Sequence, residues 1–158
     1  MLTGLIAAVL VVLLGVLLLR QRQSSKRFKR RSPAKDISAF EAVVSTDDFD
    51  EMVLDTSFKT PVLVDFFATW CKPCHYFAPI LSTFADHYGG SFLLAKVDVD
   101  KNDLLLHRYD IEAMPTVMLF KDGKCVDRFV GGRLPHSIRY FLARHGVQEP
   151  QDNTAGNE

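Results

Sequence analysis

The sequence predicts an α/β domain in which a central, mixed β-sheet is flanked by helices. From about Asp36 onward, short apolar runs alternate with amphipathic stretches. One run, residues 61–68, is almost continuously apolar, which is typical of a strand buried on both faces. Later in the chain, an Asp122-Gly123 turn joins two further runs and predicts an antiparallel hairpin. Together these patterns indicate parallel and antiparallel strands in one sheet.

The predicted elements follow the order β-α-β-α-β-α-β-β-α. Phe40 to Val44 is a candidate edge strand, and Ser45 or Thr46 can cap a helix that runs to about Asp55. Residues 61–68 then form the central strand. The later elements are strands at 91–99, 116–120 and 125–130, a short helix at 101–109, and a closing helix that begins at Pro135 and ends at Gly146.

A longer amphipathic helix is predicted directly after the central strand. Its apolar residues recur at the spacing of one helix face, and Gly89-Gly90 ends it. Pro79 lies inside the helix and should bend its axis, because it removes one intrahelical hydrogen bond. The residues on the apolar face are Phe77, Ile80, Leu81, Phe84, Ala85 and Tyr88.

The charge of the chain is unevenly distributed. The 158 residues carry a formal net charge of zero, yet seven of the nineteen basic residues fall between Arg20 and Arg31, and no acidic residue precedes Asp36. From Ser32 onward, twelve Lys and Arg oppose nineteen Asp and Glu, which gives a formal charge of −7. An acidic body argues against a nucleic-acid-binding domain, whose folded surface would carry a basic patch.

The amino-terminal part predicts a membrane anchor. Residues 1–19 are almost entirely apolar and nearly long enough to cross a bilayer as a helix. The basic residues follow this stretch, within a juxtamembrane linker at 20–36, and such a flank favours the cytoplasmic side. We therefore expect a single-pass anchor, a cytoplasmic domain at 37–146 and a disordered tail at 147–158. Alternatives are a cleaved signal peptide, an organelle-targeting signal-anchor and a domain in a periplasm or lumen.

Two of the three cysteines, Cys71 and Cys74, lie where the central strand passes into the long helix. A thiolate at Cys71 would face unpaired backbone N–H groups and the positive end of the helix dipole, so Cys71 should ionise readily. It could then attack a substrate disulfide, and Cys74 could resolve the mixed disulfide. Between them, Lys72 adds positive charge and Pro73 restricts the first turn. A zinc site would need a second ligand pair of the usual spacing, so we expect no metal.

Asp65 is the second candidate functional residue. A lone carboxylate within an apolar central strand is costly unless it is paired or protonated. With a raised pKa it could accept the proton of Cys74, and Lys96 on the neighbouring strand is a plausible partner. The alternative is that Asp65 turns towards solvent at the strand end. The third cysteine, Cys125, is interpreted as a small strand residue.

Five motifs occur in order between Phe40 and His145: Asp65 to Cys74, Ala78 to Leu81, Ala95 to Asp100, Met114-Pro115-Thr116 and Val130-Gly131-Gly132. Together they resemble the thioredoxin family. The resemblance implies a thioredoxin fold, with Cys71 as the exposed nucleophile and Cys74 as the resolving thiol. It also implies that Asp65 is the buried acid-base group and Lys96 its companion.

The resemblance further implies a cis peptide before Pro115 and a shallow groove that holds a substrate segment. The expected partners are proteins with disulfides, an electron donor of the thioredoxin-reductase type, and the membrane; no cofactor is implied. A partner-binding module or co-chaperone that does not use the thiols is the alternative function. The groove would be formed by Trp70, Lys72, Pro73, Met114, Pro115, Gly131 and Gly132.

Overall fold

The computed structural model describes residues 39–150, and the predicted anchor and linker at 1–36 lie outside them. No helix within 39–150 is both long and apolar enough to cross a membrane. The strands are β1 (Glu41–Val43), β2 (Val62–Phe67), β3 (Leu93–Asp98), β4 (Thr116–Lys121) and β5 (Lys124–Val130); the α-helices are α1 (Thr46–Phe49), α2 (Lys72–His87), α3 (Asp103–Arg108) and α4 (Pro135–Ala143).

The described strands form one mixed sheet in the order β1-β3-β2-β4-β5. β1, β3 and β2 are mutually parallel, whereas β4 is antiparallel to both β2 and β5. β2 is therefore the central strand, and every residue from Val62 to Phe66 is buried. This confirms the mixed sheet and the central position that the apolar run predicts.

Alternate residues of the strands point to two separate apolar layers, as the period of two in a β-strand requires. On one face, Val64 and Phe66 pack with Phe49 of α1 and Leu105 of α3. On the other face, Leu63 lies in a second cluster with side chains of α2 and α4. Those helix side chains include Phe77, Leu81, Phe84, Ile138 and Phe141.

The first helix differs from its prediction in form. α1 continues without a break into a π-helical segment, Asp50–Asp55, whose wider turn is not encoded by an apolar period of 3.6 residues. Ser45 occupies the N-cap position but makes no capping bond to the backbone, because its hydroxyl donates to the Asp48 carboxylate at 2.7 Å. The predicted span to about Asp55 is otherwise found.

The folded contacts extend beyond Gly146, where the predicted domain ends. Val147 is buried among the side chains that α2 and α4 contribute to the second cluster. Glu149 accepts a hydrogen bond from Arg139 at 2.7 Å and lies 3.4 Å from His87. Residues 151–158 of the predicted tail lie outside the described residues.

Candidate active site

The two neighbouring cysteines lie at the start of α2, directly after the central strand. Cys71 is the N-cap residue of α2 and is joined to Cys74 by a disulfide bond. The backbone N–H of Cys74 also donates to the Cys71 sulfur at 3.2 Å. The predicted position of Cys71 at a helix N-terminus is therefore found, and its sulfur meets one of the N–H groups that an isolated helix would leave unpaired.

Both sulfurs are well covered in this oxidised form. Cys71 is 4% exposed and Cys74 is 2% exposed. The resemblance implied an exposed Cys71, and that expectation is wrong for the disulfide state, because the apolar cluster around Val64, Phe66 and Ala68 includes both cysteines. Access to Cys71 thus depends on the side chains that surround the disulfide.

The residues that flank the disulfide are open to solvent. Trp70 is 65% exposed, and its indole N–H donates to the Asp100 carboxylate at 3.1 Å. This bond fixes the ring against the turn that follows β3. Lys72 and Pro73, between the cysteines, are also exposed. The sequence did not identify Asp100 as the partner of Trp70, since thirty residues separate them.

Two loops form the rest of the predicted groove. The Met114-Pro115 peptide is cis, as the resemblance implied, and Met114 packs against the cluster that contains the cysteines. The Gly131 N–H donates to the Pro115 carbonyl at 2.7 Å, which ties the second loop to the first. A Cβ atom on Gly132 would lie 3.6 Å from Phe77 of α2. The groove residues are therefore joined through loop and helix contacts.

Asp65 is buried in the middle of β2, with 1% exposure, and does not turn towards solvent. Burial raises its pKa to about 7; the positive charge of Lys96 lowers it, and the negative charge of Glu41 raises it further. Its Oδ1 atom has no hydrogen-bond partner within the described part of the chain. A buried carboxylate that is half protonated near neutrality can both accept and donate a proton.

Lys96 is in register with Asp65 on the neighbouring strand, yet it bonds elsewhere. Its ammonium group donates to the Glu41 carboxylate at 3.2 Å and to the Ser82 hydroxyl at 3.1 Å. The predicted direct pairing with Asp65 is therefore not found, because Glu41 on β1 provides a nearer anion. Glu41 is 55 residues from Lys96 in the sequence, and only the order of the strands brings the two together.

An open cleft of about 650 Å³ lies beside this ion pair, between the β1 edge and α2. It begins next to the disulfide, since His75 follows Cys74 directly. The His75 ring nitrogen Nε2 lies 2.7 Å from the Thr69 carbonyl, a contact that the sequence did not suggest. The cleft is lined by Glu41, Ala42, Val43, His75, Ala78, Pro79, Ser82 and Lys96.

Cys125 lies apart from this arrangement. It is an exposed free cysteine on the edge strand β5, and its thiol donates to the Asp127 carbonyl at 3.4 Å. Residues 39–150 contain no group of three or more His, Cys, Asp and Glu side chains placed to hold a metal ion.

Comparison with known proteins agrees with this geometry. The sequence profile of the family described as Thioredoxin matches residues 40–144. Thioredoxin 1 of Nostoc sp. is 38% identical over 104 residues, which cover 66% of this chain and 95% of that protein. Thioredoxin of Staphylococcus epidermidis is 38% identical over 102 residues, covering 65% of this chain and 94% of the relative.

A chloroplast protein gives a higher identity over a shorter stretch. Thioredoxin Y of Oryza sativa is 48% identical over 83 residues, which cover 52% of this chain and 48% of that protein. The match to this chain thus spans about half the length of the rice relative. The profile covers most of the chain, and the disulfide, the cis peptide and the buried carboxylate lie within it. The chain therefore belongs to the thioredoxin family of disulfide reductases.

Proposed function

We propose that this protein reduces disulfides of protein substrates by dithiol exchange at Cys71 and Cys74, close to a membrane surface. The observation that carries the proposal is the Cys71–Cys74 disulfide at the N-terminus of α2, where the Cys74 N–H donates to the Cys71 sulfur. A donor in that position stabilises negative charge on the sulfur, and the thiolate is the form that attacks disulfides.

The first step begins from the reduced protein. The Cys71 thiolate attacks one sulfur of a substrate disulfide, a Cys71–substrate bond forms, and the substrate sulfur–sulfur bond breaks. The other substrate sulfur leaves as a thiolate and takes a proton from water. The groove of Trp70, Met114 and Pro115 holds the substrate segment, because it combines an exposed ring with the backbone of the cis-proline loop, where Met114 is half-buried.

The second step uses Cys74 and Asp65. The ionised Asp65 carboxylate takes the thiol proton of Cys74, and the Cys74 thiolate attacks Cys71. The Cys71–Cys74 disulfide forms, and the second substrate sulfur leaves as a thiolate. The substrate has gained two electrons and the protein has lost them. A pKa of about 7 supports this role, because Asp65 can then change protonation state near neutral pH.

The oxidised protein must be reduced again for turnover. A thioredoxin-reductase-like donor, which the family resemblance suggests, would supply the two electrons. The apolar residues 1–19 and the basic linker 20–36 support placement of the domain at the cytoplasmic face of a membrane. Each basic residue close to an anionic leaflet contributes about 1 kcal/mol of attraction.

The proposal is tested by the reduction of insulin-type disulfides with dithiothreitol as electron source. We expect Cys71→Ala to lose the activity and Cys125→Ala, the matched cysteine control, to retain it. When the reduced protein meets the substrate after dithiothreitol has been removed, Cys74→Ser should accumulate a mixed disulfide through Cys71, since the resolving thiol is absent. Undiminished reduction by Cys71→Ala would show that the protein does not act through this site. Partner binding that survives loss of both thiols, without any reductase activity, would favour a binding module instead.

A further inference from the structure

Lys96 lies between two carboxylates on adjacent strands. β3 is flanked by β1 on one side and β2 on the other. Asp65 is the register partner of Lys96 on β2, and Glu41 is the register partner of Leu94, two residues before Lys96. Residues two apart in a strand point to the same face, so Glu41, Lys96 and Asp65 share the face that α2 covers.

The Lys96 ammonium group is held on the Glu41 side of this row. It lies 3.2 Å from the Glu41 carboxylate and 3.1 Å from the Ser82 hydroxyl of α2. Ser82 donates its own hydrogen to the Ala78 carbonyl at 3.1 Å, so its oxygen is oriented to accept from Lys96. The ion pair is largely covered, with side-chain exposures of 18% for Lys96 and 4% for Glu41.

This placement leaves Asp65 accessible for proton transfer. Its Oδ1 atom is buried and has no hydrogen-bond partner among residues 39–150. If the ammonium group bonded to Asp65 instead, the carboxylate would be stabilised in its charged form and one oxygen would be occupied. Both changes would make Asp65 a weaker base towards Cys74.

We propose that Glu41 is a positioning residue that holds Lys96 away from Asp65 and so keeps Asp65 free to accept the Cys74 proton. The inference rests on the proposed reductase function and deepens it. Glu41 does not touch the reacting sulfurs. It acts through Lys96, with Ser82 as the second anchor of the ammonium group.

The other groups packed around Asp65 do not provide a competing charge. β4 contributes Val117, the register partner of Asp65, which is apolar. α2 begins with the disulfide. Its polar side chains at the cleft are the neutral Ser82 and the titratable His75. Lys96 and Glu41 are therefore the charged groups on β3 and β1 that face Asp65.

The test is a titration of the Asp65 carboxyl carbon by NMR in the oxidised full-length protein, in detergent or nanodiscs as its solubility requires. Four proteins are compared: wild type, Glu41→Gln, Lys96→Met and the double variant. We expect Glu41→Gln to lower the pKa of Asp65 by about one unit, because Lys96 becomes free to approach it. We expect Lys96→Met to raise it. In the Lys96→Met background, Glu41→Gln should shift the pKa of Asp65 by less than half of the shift that it causes when Lys96 is present.

Equal shifts in both backgrounds would overturn the proposal, since Glu41 would then act as a separate charge and not through Lys96. No shift on Glu41→Gln would overturn it as well. Asp50→Asn is the matched control, because it also removes an ion-paired carboxylate. Asp50 pairs with Arg108 at an exposed site preceding β2. The variant should leave the Asp65 titration unchanged.

A second measurement needs no variant, and so it decides the question even if Glu41→Gln does not fold. A crystal structure of the reduced wild-type protein should show Lys96 bonded to Glu41, and a bond to Asp65 instead would contradict the proposal. Neither measurement depends on turnover. Failure of the reductase function would appear in the insulin assay alone, whereas failure of the positioning role would appear in the titration with activity intact.

Discussion

The backbone N–H of Cys74 donates a hydrogen bond to the Cys71 sulfur across 3.2 Å. Cys71 is the N-cap residue of α2, so its side chain lies beside the first N–H groups of the helix. The Cys74 N–H is shared between the Cys71 sulfur and the Cys71 carbonyl, which lies 3.1 Å away. Negative charge on that sulfur is therefore stabilised before any substrate binds. Two further features complete the site: a buried carboxylate in the central strand, and a groove formed by the exposed Trp70 and two loops.

The Asp65→Asn variant should be more stable than the wild type at neutral and alkaline pH. Burial raises the pKa of Asp65 from 3.8 to about 7, so between these values the folded protein binds more protons than the unfolded chain. Wild-type stability therefore falls as pH rises through this window, by up to about 4 kcal/mol. Asn carries no charge and avoids that loss. Urea unfolding of the oxidised proteins should show a small difference at pH 4 and the full gain at pH 8. A gain that does not depend on pH would contradict this account.

Trp70→Ala should weaken substrate binding more than it weakens the fold. The ring is 65% exposed and is held by one hydrogen bond to Asp100, so its loss should change the free energy of unfolding by about 1 kcal/mol or less. We expect KM for a protein disulfide to rise several-fold. Tyr140→Ala, which removes an equally exposed aromatic ring on α4, is the control and should leave KM unchanged. Equal effects of both substitutions on KM would show that Trp70 has no specific role in substrate binding.

Gly131→Ala and Gly132→Ala form a matched pair in the second loop of the groove. Gly131 has φ +81°, a conformation that costs an L-residue roughly 1 kcal/mol, although nothing lies within 4 Å of its added Cβ. Its N–H also holds the Pro115 carbonyl. We expect Gly131→Ala to lower stability by about that amount and to raise KM, as measured by unfolding and steady-state kinetics. The Cβ atom added by Gly132→Ala lies only at ordinary contact distance from Phe77, so this variant should leave the free energy of unfolding nearly unchanged.

The full-length protein should sediment with membranes, whereas a variant that lacks residues 1–36 should be found in the supernatant. The expectation follows from the apolar stretch at 1–19 and the basic residues after it. Protease added to intact cells should leave the domain uncut if it faces the cytosol. Replacement of the seven basic residues by Gln is the control for the direction of insertion, and it should reduce the protected fraction. A full-length chain in the soluble fraction would exclude the anchor.

The elements of this protein were predictable where the signal is local. The apolar run at 61–68 indicated the central strand, and two cysteines at its junction with an amphipathic stretch indicated a reactive helix N-terminus. A single carboxylate in that run indicated Asp65 as a functional candidate, and the structure decides between the two alternatives in favour of burial. The π-helical segment after α1 and the burial of Val147 were not predictable, since neither changes the apolar pattern that precedes it.

The contacts that tune the site were not predictable for a different reason. Lys96 could be proposed as the partner of Asp65 because it lies on a neighbouring predicted strand, but its bond to Glu41 depends on which strand occupies the far side of β3. The Asp100 partner of Trp70 likewise depends on a turn thirty residues away. The cis peptide before Pro115 followed from the resemblance alone, because the residues themselves indicate only a turn or a strand start.

The most direct test of the central claim is the ionisation of Cys71 in the reduced protein. In a Cys74→Ser/Cys125→Ser variant, Cys71 is the sole thiol, and its rate of alkylation can be followed against pH. We expect an apparent pKa clearly below the value of about 8.5 for a free cysteine, because the start of α2 stabilises the thiolate. An apparent pKa at or above that value would contradict this expectation.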